Sequence, residues 1–495
     1  MRTDWHNLSA MPVAGPAEVL IASNRGPVSF AIDEQGALSL RRGGGGLVSG
    51  LSAVAGETGE TGLWICTALT DADRTATRRA GGGRIDEAGH DTGGAAVRML
   101  DIDATTFNRA YNAVANSVLW FVHHLLYDIP TVPHFDASFR RDWDSYVAYN
   151  AAFADAIASD AAPGARVLVQ DYHLTLVPRL LRERRPDLRV GHFSHTPWAP
   201  ADYFDLLPDE VAREMLLGVL GADRAAFLTI RWARAFLACC ARVLHLDVDY
   251  HALTVAHDGR VTAVGVHALG VDGDYLRARS RQPDVEAKRA TLLDTVGACR
   301  MVLRVDRTEL SKNIVRGLAA YRELLRTRPE WRGKVVHLAF AYPSRHDLPE
   351  YREYTASVQR IAAEIEDEFG TADWRPLVLA VDDDFARSLA AYRIADVVVV
   401  NPIRDGMNLV AKEVPVVSER GVALVLSREA GAVHELGGDA AVVNPYDVSE
   451  TAGALHQALT MPETERAERT RRLAAAATAL PPRRWFADQL AALSD

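Results

Sequence analysis

Cysteine is scarce in this chain of 495 residues, which limits the kinds of site it can form. The four cysteines are Cys66, Cys239, Cys240 and Cys299, and none of them has the spacing of a thiolate metal site. Adjacent Cys239 and Cys240 stand in an apolar run, so we predict that they are buried thiols. Such sparse cysteine fits a reducing compartment, and we expect a cytoplasmic protein.

Long apolar runs are also missing. No stretch reaches the roughly 20 residues needed to cross a bilayer, so no membrane partner is expected. Residues 1–19 lack the apolar core of a secretory signal, and we expect none there. A net charge of −10 argues against a general nucleic-acid binder. An anionic substrate would therefore need cations gathered at one place.

The chain is instead rich in alternating strand and helix patterns. Four stretches read as strand, loop, helix and strand: 166–198, 299–345, 377–400 and 423–447. This alternation occurs in both halves and predicts α/β architecture, with two doubly wound, Rossmann-like parallel sheets.

The chain is too long for a single core, so two domains are expected. We place the first at residues 1–265 and the second at residues 266–475. The last stretch, 476–495, is predicted to be a C-terminal helix that packs back on the first domain.

Polar residues recur directly after the predicted strands. They are Arg25, Asp171, His173, His195, Arg307, Lys312, Arg345 and Asp405. Open α/β sheets bind ligands at the carboxyl ends of their strands. After Val397–Val400 comes Asp405 and then a helix start, whose free N–H groups suit an anion. A single case could be an ordinary strand–loop–helix joint, but the recurrence favours a binding site.

Alternatives remain for the individual residues. Gly43–Gly46 precede a helix and form either a flexible loop or a close approach to phosphate. They match neither a Walker loop nor a dinucleotide fingerprint. Arg307 and Lys312, five residues apart, either point at one diphosphate or form a solvated helix start.

The polar residues of the first half are equally open. Asp171 is either a ligand-binding residue or a helix N-cap, and His173 is favoured as structural. His195, at a strand end, is favoured as functional. Tyr111 and Trp120 belong either to the core or to a surface that packs against a sugar ring. No nucleophile motif of the G-x-S-x-G type is present.

Nine short motifs occur in one order along the chain: SNRGP, GGGL, YN…NSVLW, QDYHL, HTPW, DRTELSK, PSR, RDGMNLVAKE and NPYD. In these motifs the sequence resembles the trehalose-6-phosphate synthases, the retaining glycosyltransferases of family 20, from Val19 to about Trp485. The resemblance implies the GT-B fold, in which two Rossmann-like domains face each other across a cleft. It also implies an alpha,alpha-trehalose-6-phosphate synthase of trehalose biosynthesis. Such an enzyme moves glucose from a nucleotide diphosphate glucose to glucose-6-phosphate and retains the configuration.

The resemblance also implies roles for particular residues. The acceptor, glucose-6-phosphate, would contact Arg25, Tyr111, Trp120, Asp171 and Arg345, with the two arginines on its phosphate. The donor would contact Gly45, Gly46, Arg307, Lys312, Leu409, Val410, Ala411, Lys412 and Glu413, with Glu413 on the ribose. His195, Asp405, Arg307 and Lys312 would be catalytic. Trp120 and Thr196 would select the anomer.

Further expectations concern cofactors and partners. The resemblance implies no Asp-x-Asp metal site, so we predict neither a metal nor another cofactor. The expected partners are the two sugar substrates, and the sequence leaves open whether the chain forms a homo-oligomer. We also expect no phosphatase domain after residue 495.

The sequence departs from the family pattern at three places. The family's YSKG is LSKN at Leu310–Asn313. Thr196 stands directly after His195, where the family usually has an apolar residue. The segment that should hold the base is VDDDF, in which Asp383 aligns best. A carboxylate can accept two hydrogen bonds from guanine but none from the uracil carbonyls, so GDP-glucose is favoured over UDP-glucose. The alternative is that Asp382, Asp383 and Asp384 form a solvated loop or a helix cap.

Two other functions are alternatives to sugar transfer. One is a pseudo-glycosyltransferase that joins cyclitol phosphates through nitrogen, and the other is a non-catalytic sugar-phosphate sensor. The intact RDGMN loop argues against the first. The full set of cations and acids argues against the second.

Overall fold

A computed structural model describes residues 15–34, 36–42 and 62–494. The predicted donor residues Gly45 and Gly46 lie outside the described residues. The chain forms two compact units. The first extends to Ala268 and resumes at Pro482, and the second is Leu269–Pro481.

The first unit is built on a largely parallel sheet. Among its described residues, the strands are β1 Ala17–Ser23, β2 Val28–Ile32, β3 Leu38–Arg42, β4 Gly62–Thr67, β5 Val97–Leu100, β6 Ala161–Gln170, β7 Arg189–Ser194, β8 Arg224–Phe227, β9 Val248–Asp249, β10 Thr254–His257 and β11 Arg260–Val266. The sheet order is β5-β4-β1-β6-β7-β8-β11-β10-β9, and β2 and β3 form a separate hairpin. Strands β5, β4, β1, β6, β7, β8 and β11 run parallel to one another. At the edge of the sheet, β10 runs antiparallel to both β11 and β9.

Helices and short helical turns join these strands. They are α1 Asp71–Arg79, α2 Ala104–Asn108, α3 Trp120–His124, α4 Ala137–Asp160, α5 Val177–Arg184, α6 Ala201–Phe204, α7 Asp209–Leu220 and α8 Ile230–Leu244, with a π-helical segment Arg109–Leu119 and a 3₁₀ turn Tyr172–Leu174. The longest, α4, begins where the Asp136 side chain accepts hydrogen bonds from Ser138 N and Phe139 N at 2.8 and 3.0 Å. Its buried side chains recur at helical spacing, so one face packs on the sheet.

The second unit has a smaller sheet whose strands all run parallel. The strands are β12 Arg300–Arg307, β13 Val335–Tyr342, β14 Leu377–Ala380, β15 Val397–Val400, β16 Ala423–Ser427 and β17 Ala441–Val443. Their order is β14-β13-β12-β15-β16-β17. Strand β15 consists of four valines, all buried, as expected for a strand covered on both faces. The order reverses between β12 and β15, so the loops that follow these strands are neighbours.

The helices of this unit are α9 Gly273–Arg279, α10 Pro283–Val296, α11 Ile314–Thr327, α12 Pro349–Phe369, α13 Phe385–Ile394, α14 Leu409–Val417, α15 Val433–Leu436, α16 Val448–Thr460 and α17 Glu463–Thr478. Two 3₁₀ turns, Leu310–Lys312 and Pro329–Trp331, complete it. The predicted α/β class with parallel sheets is thus confirmed. The predicted domain roles stay predictions.

The last helix, α18 Pro482–Ala491, belongs to the first unit. Trp485 Nε1 donates to His267 O at 3.1 Å, and the Trp485 ring meets Phe193 edge-on with centroids 4.8 Å apart. Cys239 and Cys240 are buried free thiols, as predicted. In the part of the chain that the structure describes, the helices are too short or too polar to cross a membrane.

Candidate active site

Asp171 links the ends of two neighbouring strands in the first unit. It follows β6, and its backbone has a φ of 72°, which is costly for a residue other than glycine. Its N–H donates to Phe193 O at 2.7 Å, and its Oδ1 accepts from His195 N at 3.1 Å. The turn Tyr172–Leu174 receives no capping hydrogen bond from this side chain. The N-cap alternative therefore does not describe Asp171.

His195 is held in a largely apolar setting. Its Nε2 lies 2.9 Å from Gln170 Oε1, and its ring packs near Phe193 and Trp485, with centroids 4.7 and 5.5 Å away. Burial, and then the neighbouring His192, lower the pKa of His195 to about 3. The imidazole is consequently neutral near pH 7 and suits hydrogen bonding rather than proton donation.

The aromatic residues predicted for the acceptor stack within the same unit. Tyr111 lies between Phe107 and His173, with centroids 5.1 and 5.6 Å away and nearly parallel planes. This contact fits the structural role expected of His173. Trp120 stacks on His124 at 3.8 Å and is mostly buried.

Thr196 and Arg25 are the remaining predicted residues of the first unit. Thr196 is buried, and its hydroxyl has no hydrogen-bond partner among the described residues. Arg25 follows β1 and is exposed, and its carbonyl accepts from Ser23 Oγ at 2.7 Å. No ion pair of its guanidinium occurs among the described residues. Its charge is thus available to an anion.

Lys312 and Asp405 are joined where the sheet order of the second unit reverses. Lys312 Nζ lies 2.5 Å from Asp405 Oδ2, and both side chains are 15% exposed. The same oxygen accepts from Asn408 Nδ2 at 3.0 Å. The loops after β12 and β15 thus bring two predicted catalytic residues into direct contact.

Helix α14 begins directly beside this pair. Asn408, with a φ of 79°, caps the helix by accepting from Ala411 N at 3.2 Å. Leu409 and Val410 supply the first N–H groups, which have no partner within a helix. The start of α14 therefore offers backbone donors to an anion, as the sequence predicted.

Lys412 and Glu413 lie in contrasting environments on the same helix. The side chain of Lys412 is fully buried, and its ammonium donates to Leu269 O at 2.7 Å and contacts Glu435 Oε2 at 2.5 Å. Only the backbone of Lys412 is therefore left to contact the donor substrate. Burial raises the pKa of Glu413 to about 7, although its hydrogen bond with Tyr392 opposes the rise.

Arg307 and Arg345 meet at a carboxylate that the sequence interpretation missed. Arg307 Nη2 lies 3.0 Å from Glu309 Oε2, and Arg345 Nη1 contacts Glu309 Oε1. The Glu309 side chain is 0% exposed, whereas Arg307 is 52% exposed. The only sequence signal for this residue was an acid between the two cations of DRTELSK.

The three acids of VDDDF do not share one environment. Asp384 caps α13 by accepting from Arg387 N at 2.9 Å, and it pairs with Lys288 Nζ at 2.8 Å. Asp382 and Asp383 are exposed. The helix-cap alternative thus describes Asp384, and Asp383 keeps an exposed carboxylate.

Asn313 compensates for the glycine missing from LSKN. Its φ of 58° is the left-handed conformation that glycine would take, and asparagine tolerates it. Its Nδ2 also donates to Asn401 O at 3.0 Å and Pro445 O at 2.7 Å. The loop that carries Lys312 is therefore tied to the NPYD motif.

Comparisons with known proteins show the family of the chain. The model of the family "Glycosyltransferase family 20" matches residues 17–495. The "Alpha,alpha-trehalose-phosphate synthase [UDP-forming]" of Schizosaccharomyces pombe is 33% identical over 454 residues, which are 90% of this chain and 85% of that protein. The "Bifunctional trehalose-6-phosphate synthase/phosphatase" of Thermoproteus tenax is 38% identical over 364 residues, or 73% of this chain. The match spans about half of that protein, 48%.

Two solved structures resemble the whole chain. The structure "Trehalose-6-phosphate from E. coli bound with UDP-2-fluoro glucose" is 26% identical with a TM-score of 0.83, over 96% of this chain and 99% of the other. A UDP-forming alpha,alpha-trehalose-phosphate synthase from Burkholderia xenovorans in complex with glucose-6-phosphate is 26% identical with a TM-score of 0.82. That match covers 97% of this chain and 100% of the other.

Proposed function

Because the chain belongs to glycosyltransferase family 20, we propose that it is an alpha,alpha-trehalose-phosphate synthase. It transfers glucose from a nucleotide diphosphate glucose to glucose-6-phosphate and retains the anomeric configuration. The observation that carries this proposal is the 2.5 Å contact between Lys312 and Asp405 beside the start of α14. It joins a cation, an acid for sugar hydroxyls and free backbone donors at one edge of the sheet.

Charge at the leaving group supports this donor site. The diphosphate gains negative charge as the anomeric C–O bond breaks. Arg307, Lys312 and the N–H groups at the start of α14 are donors that can stabilise this charge where it develops. We propose that these groups suffice without a metal ion, so that a chelator such as EDTA leaves turnover unchanged. Asp405 binds the donor glucose, and Glu413 binds the ribose.

Charge also supports the roles assigned for the acceptor. Arg25 and Arg345 are cations suited to the phosphate of glucose-6-phosphate, since guanidinium groups match phosphate geometry. The Asp171 carboxylate accepts hydrogen bonds from sugar hydroxyls, and neutral His195 lies beside the donor sugar. Trp120 and Thr196 select the anomer. The acceptor attacks from the face that the diphosphate leaves, and a leaving-group oxygen takes its proton, so no enzyme nucleophile is needed.

We further propose GDP-glucose as the preferred donor. The relatives named above are UDP-forming enzymes, so this proposal concerns the present chain alone. Asp384 serves as a helix cap, and the argument therefore rests on exposed Asp383. Its carboxylate can accept from the N1–H and the amino group of guanine, and exposed Val381 and Phe385 flank it.

A turnover assay tests the function. The purified protein is incubated with glucose-6-phosphate and either GDP-glucose or UDP-glucose, and nucleotide release and the disaccharide phosphate are measured. An α,α linkage, assigned by proton NMR coupling constants, is expected. Binding of both sugars without turnover would favour the sensor. Turnover only with a cyclitol phosphate acceptor would favour the pseudo-glycosyltransferase.

The compartment can be tested separately. All four cysteines are free, which supports a reducing compartment, and we propose the cytoplasm. Cell fractionation that recovers the protein elsewhere would contradict this assignment.

A further inference from the structure

Glu309 contacts two of the three arginines that the proposed function assigns to phosphate groups, Arg307 and Arg345. Its Oε1 accepts from Arg345 Nη1 and, at 3.0 Å, from the Tyr351 hydroxyl. Its Oε2 lies 3.0 Å from Arg307 Nη2 but has no hydrogen-bond partner among the described residues. The contact with Arg307 is therefore an ion pair without hydrogen-bond geometry.

A fully buried carboxylate is expensive unless cations compensate for its lost hydration. Glu309 is 0% exposed, and two guanidinium groups supply this compensation. In return the carboxylate restricts two long side chains that would otherwise sample many rotamers. This restriction matters most for Arg307, because half of its side chain is exposed.

We propose that Glu309 is a positioning residue that holds Arg307 towards the donor diphosphate and Arg345 towards the acceptor phosphate. This inference rests on the proposed function and adds a link between its two substrates. One carboxylate between two guanidinium groups leaves a net positive charge for phosphate, and it aligns the cations before the substrates bind. Loss of the carboxylate should therefore impair use of both substrates together.

The test compares Glu309→Gln with a matched control, Asp396→Asn. Asp396 is also a buried carboxylate of the second unit, and it contacts Arg300 at 2.8 Å and Arg466 at 3.4 Å. Neither of these arginines belongs to the candidate site. Glu309→Gln should lower kcat at least about tenfold and raise the KM of glucose-6-phosphate at least about tenfold. Asp396→Asn should lower Tm but leave kcat and both KM values within about twofold.

A double-mutant cycle asks whether Glu309 acts through Arg345. In an Arg345→Ala background, Glu309→Gln should raise the KM of glucose-6-phosphate by less than about twofold. Independent, multiplicative effects would overturn the positioning role. So would a Glu309→Gln variant that, like the control, only loses thermal stability.

Glu309→Asp keeps the inference testable if Glu309→Gln does not fold. Aspartate retains the charge but is one carbon shorter, so its kcat and KM should lie between those of the wild type and the glutamine variant. Wild-type kinetics in the aspartate variant would count against positioning.

Failure of the proposed function would be seen separately. It would appear as a wild-type protein that forms no disaccharide phosphate with either donor. Calorimetry with GDP and glucose-6-phosphate would then still report whether Glu309→Gln weakens both sites. Unchanged affinity for both would refute the inference.

Discussion

Removal of the Lys312 ammonium should strongly reduce turnover, because this charge serves two partners. It lies 2.5 Å from Asp405 Oδ2 in a pair that is only 15% exposed, so solvent screening is weak. Lys312→Ala removes the ammonium that pairs with Asp405 and takes one cation from the proposed diphosphate site. A lost charge-stabilising contact in a transition state costs about 2–4 kcal/mol, which corresponds to roughly two to three decades in kcat.

The assay is the initial rate of nucleotide release at saturating concentrations of both sugars. Lys334→Ala, which removes an exposed lysine of the same unit, is the matched control and should keep the wild-type rate. Tm measurements on both variants separate lost catalysis from lost folding. A folded Lys312→Ala enzyme with a kcat within threefold of the wild type would refute the assignment.

The remaining predictions concern the acceptor, the donor base and pH. Arg25→Ala should raise the KM of glucose-6-phosphate at least about tenfold and leave the KM of the donor within twofold; the reverse pattern would exchange the roles of the units. Asp383→Ala should lower kcat/KM for GDP-glucose at least about tenfold, since each lost charge-assisted hydrogen bond is worth about 1.5–3 kcal/mol. It should barely alter kcat/KM for UDP-glucose, and equal losses with both donors would remove the base assignment. Burial raises the pKa of Glu413 from 4.5 to about 7, so the folded state binds more protons in this interval, and stability should fall as pH rises from 4.5 to 7. Glu413→Gln should flatten this part of a plot of Tm against pH, and an unchanged slope would contradict it.

Local patterns were sufficient to predict the sheets. Runs such as Val397–Val400 followed by a polar loop and a helix predicted the parallel strands, and the helix start at Asn408 was found where expected. The rule that ligands gather at strand ends also led to Lys312 and Asp405. Their direct contact was not predictable, because it joins residues 93 positions apart.

Other parts of the site depend on distant partners that no local pattern reveals. Lys412 was predicted to contact the donor, but its side chain lies on the buried face of α14, where it pairs with Glu435 of α15. The role proposed for Glu309 depends on its contact with Arg345, which lies 36 residues later in the chain. Asp384 was predictable as a cap, and its hydrogen bond from Arg387 N and its contact with Lys288 distinguish it from the exposed Asp383.

The return of α18 to the first unit has a consequence for how the protein is made. Trp485 lies against Phe193 and His195, so part of the surroundings of a proposed catalytic residue is supplied by a helix that is synthesised after the whole second unit. Roughly 290 residues separate His195 from Trp485, which at about 5–20 residues per second means about 15–60 s of synthesis. During this time the whole second unit emerges and can fold as a unit. The first unit, although it begins first, is therefore completed last.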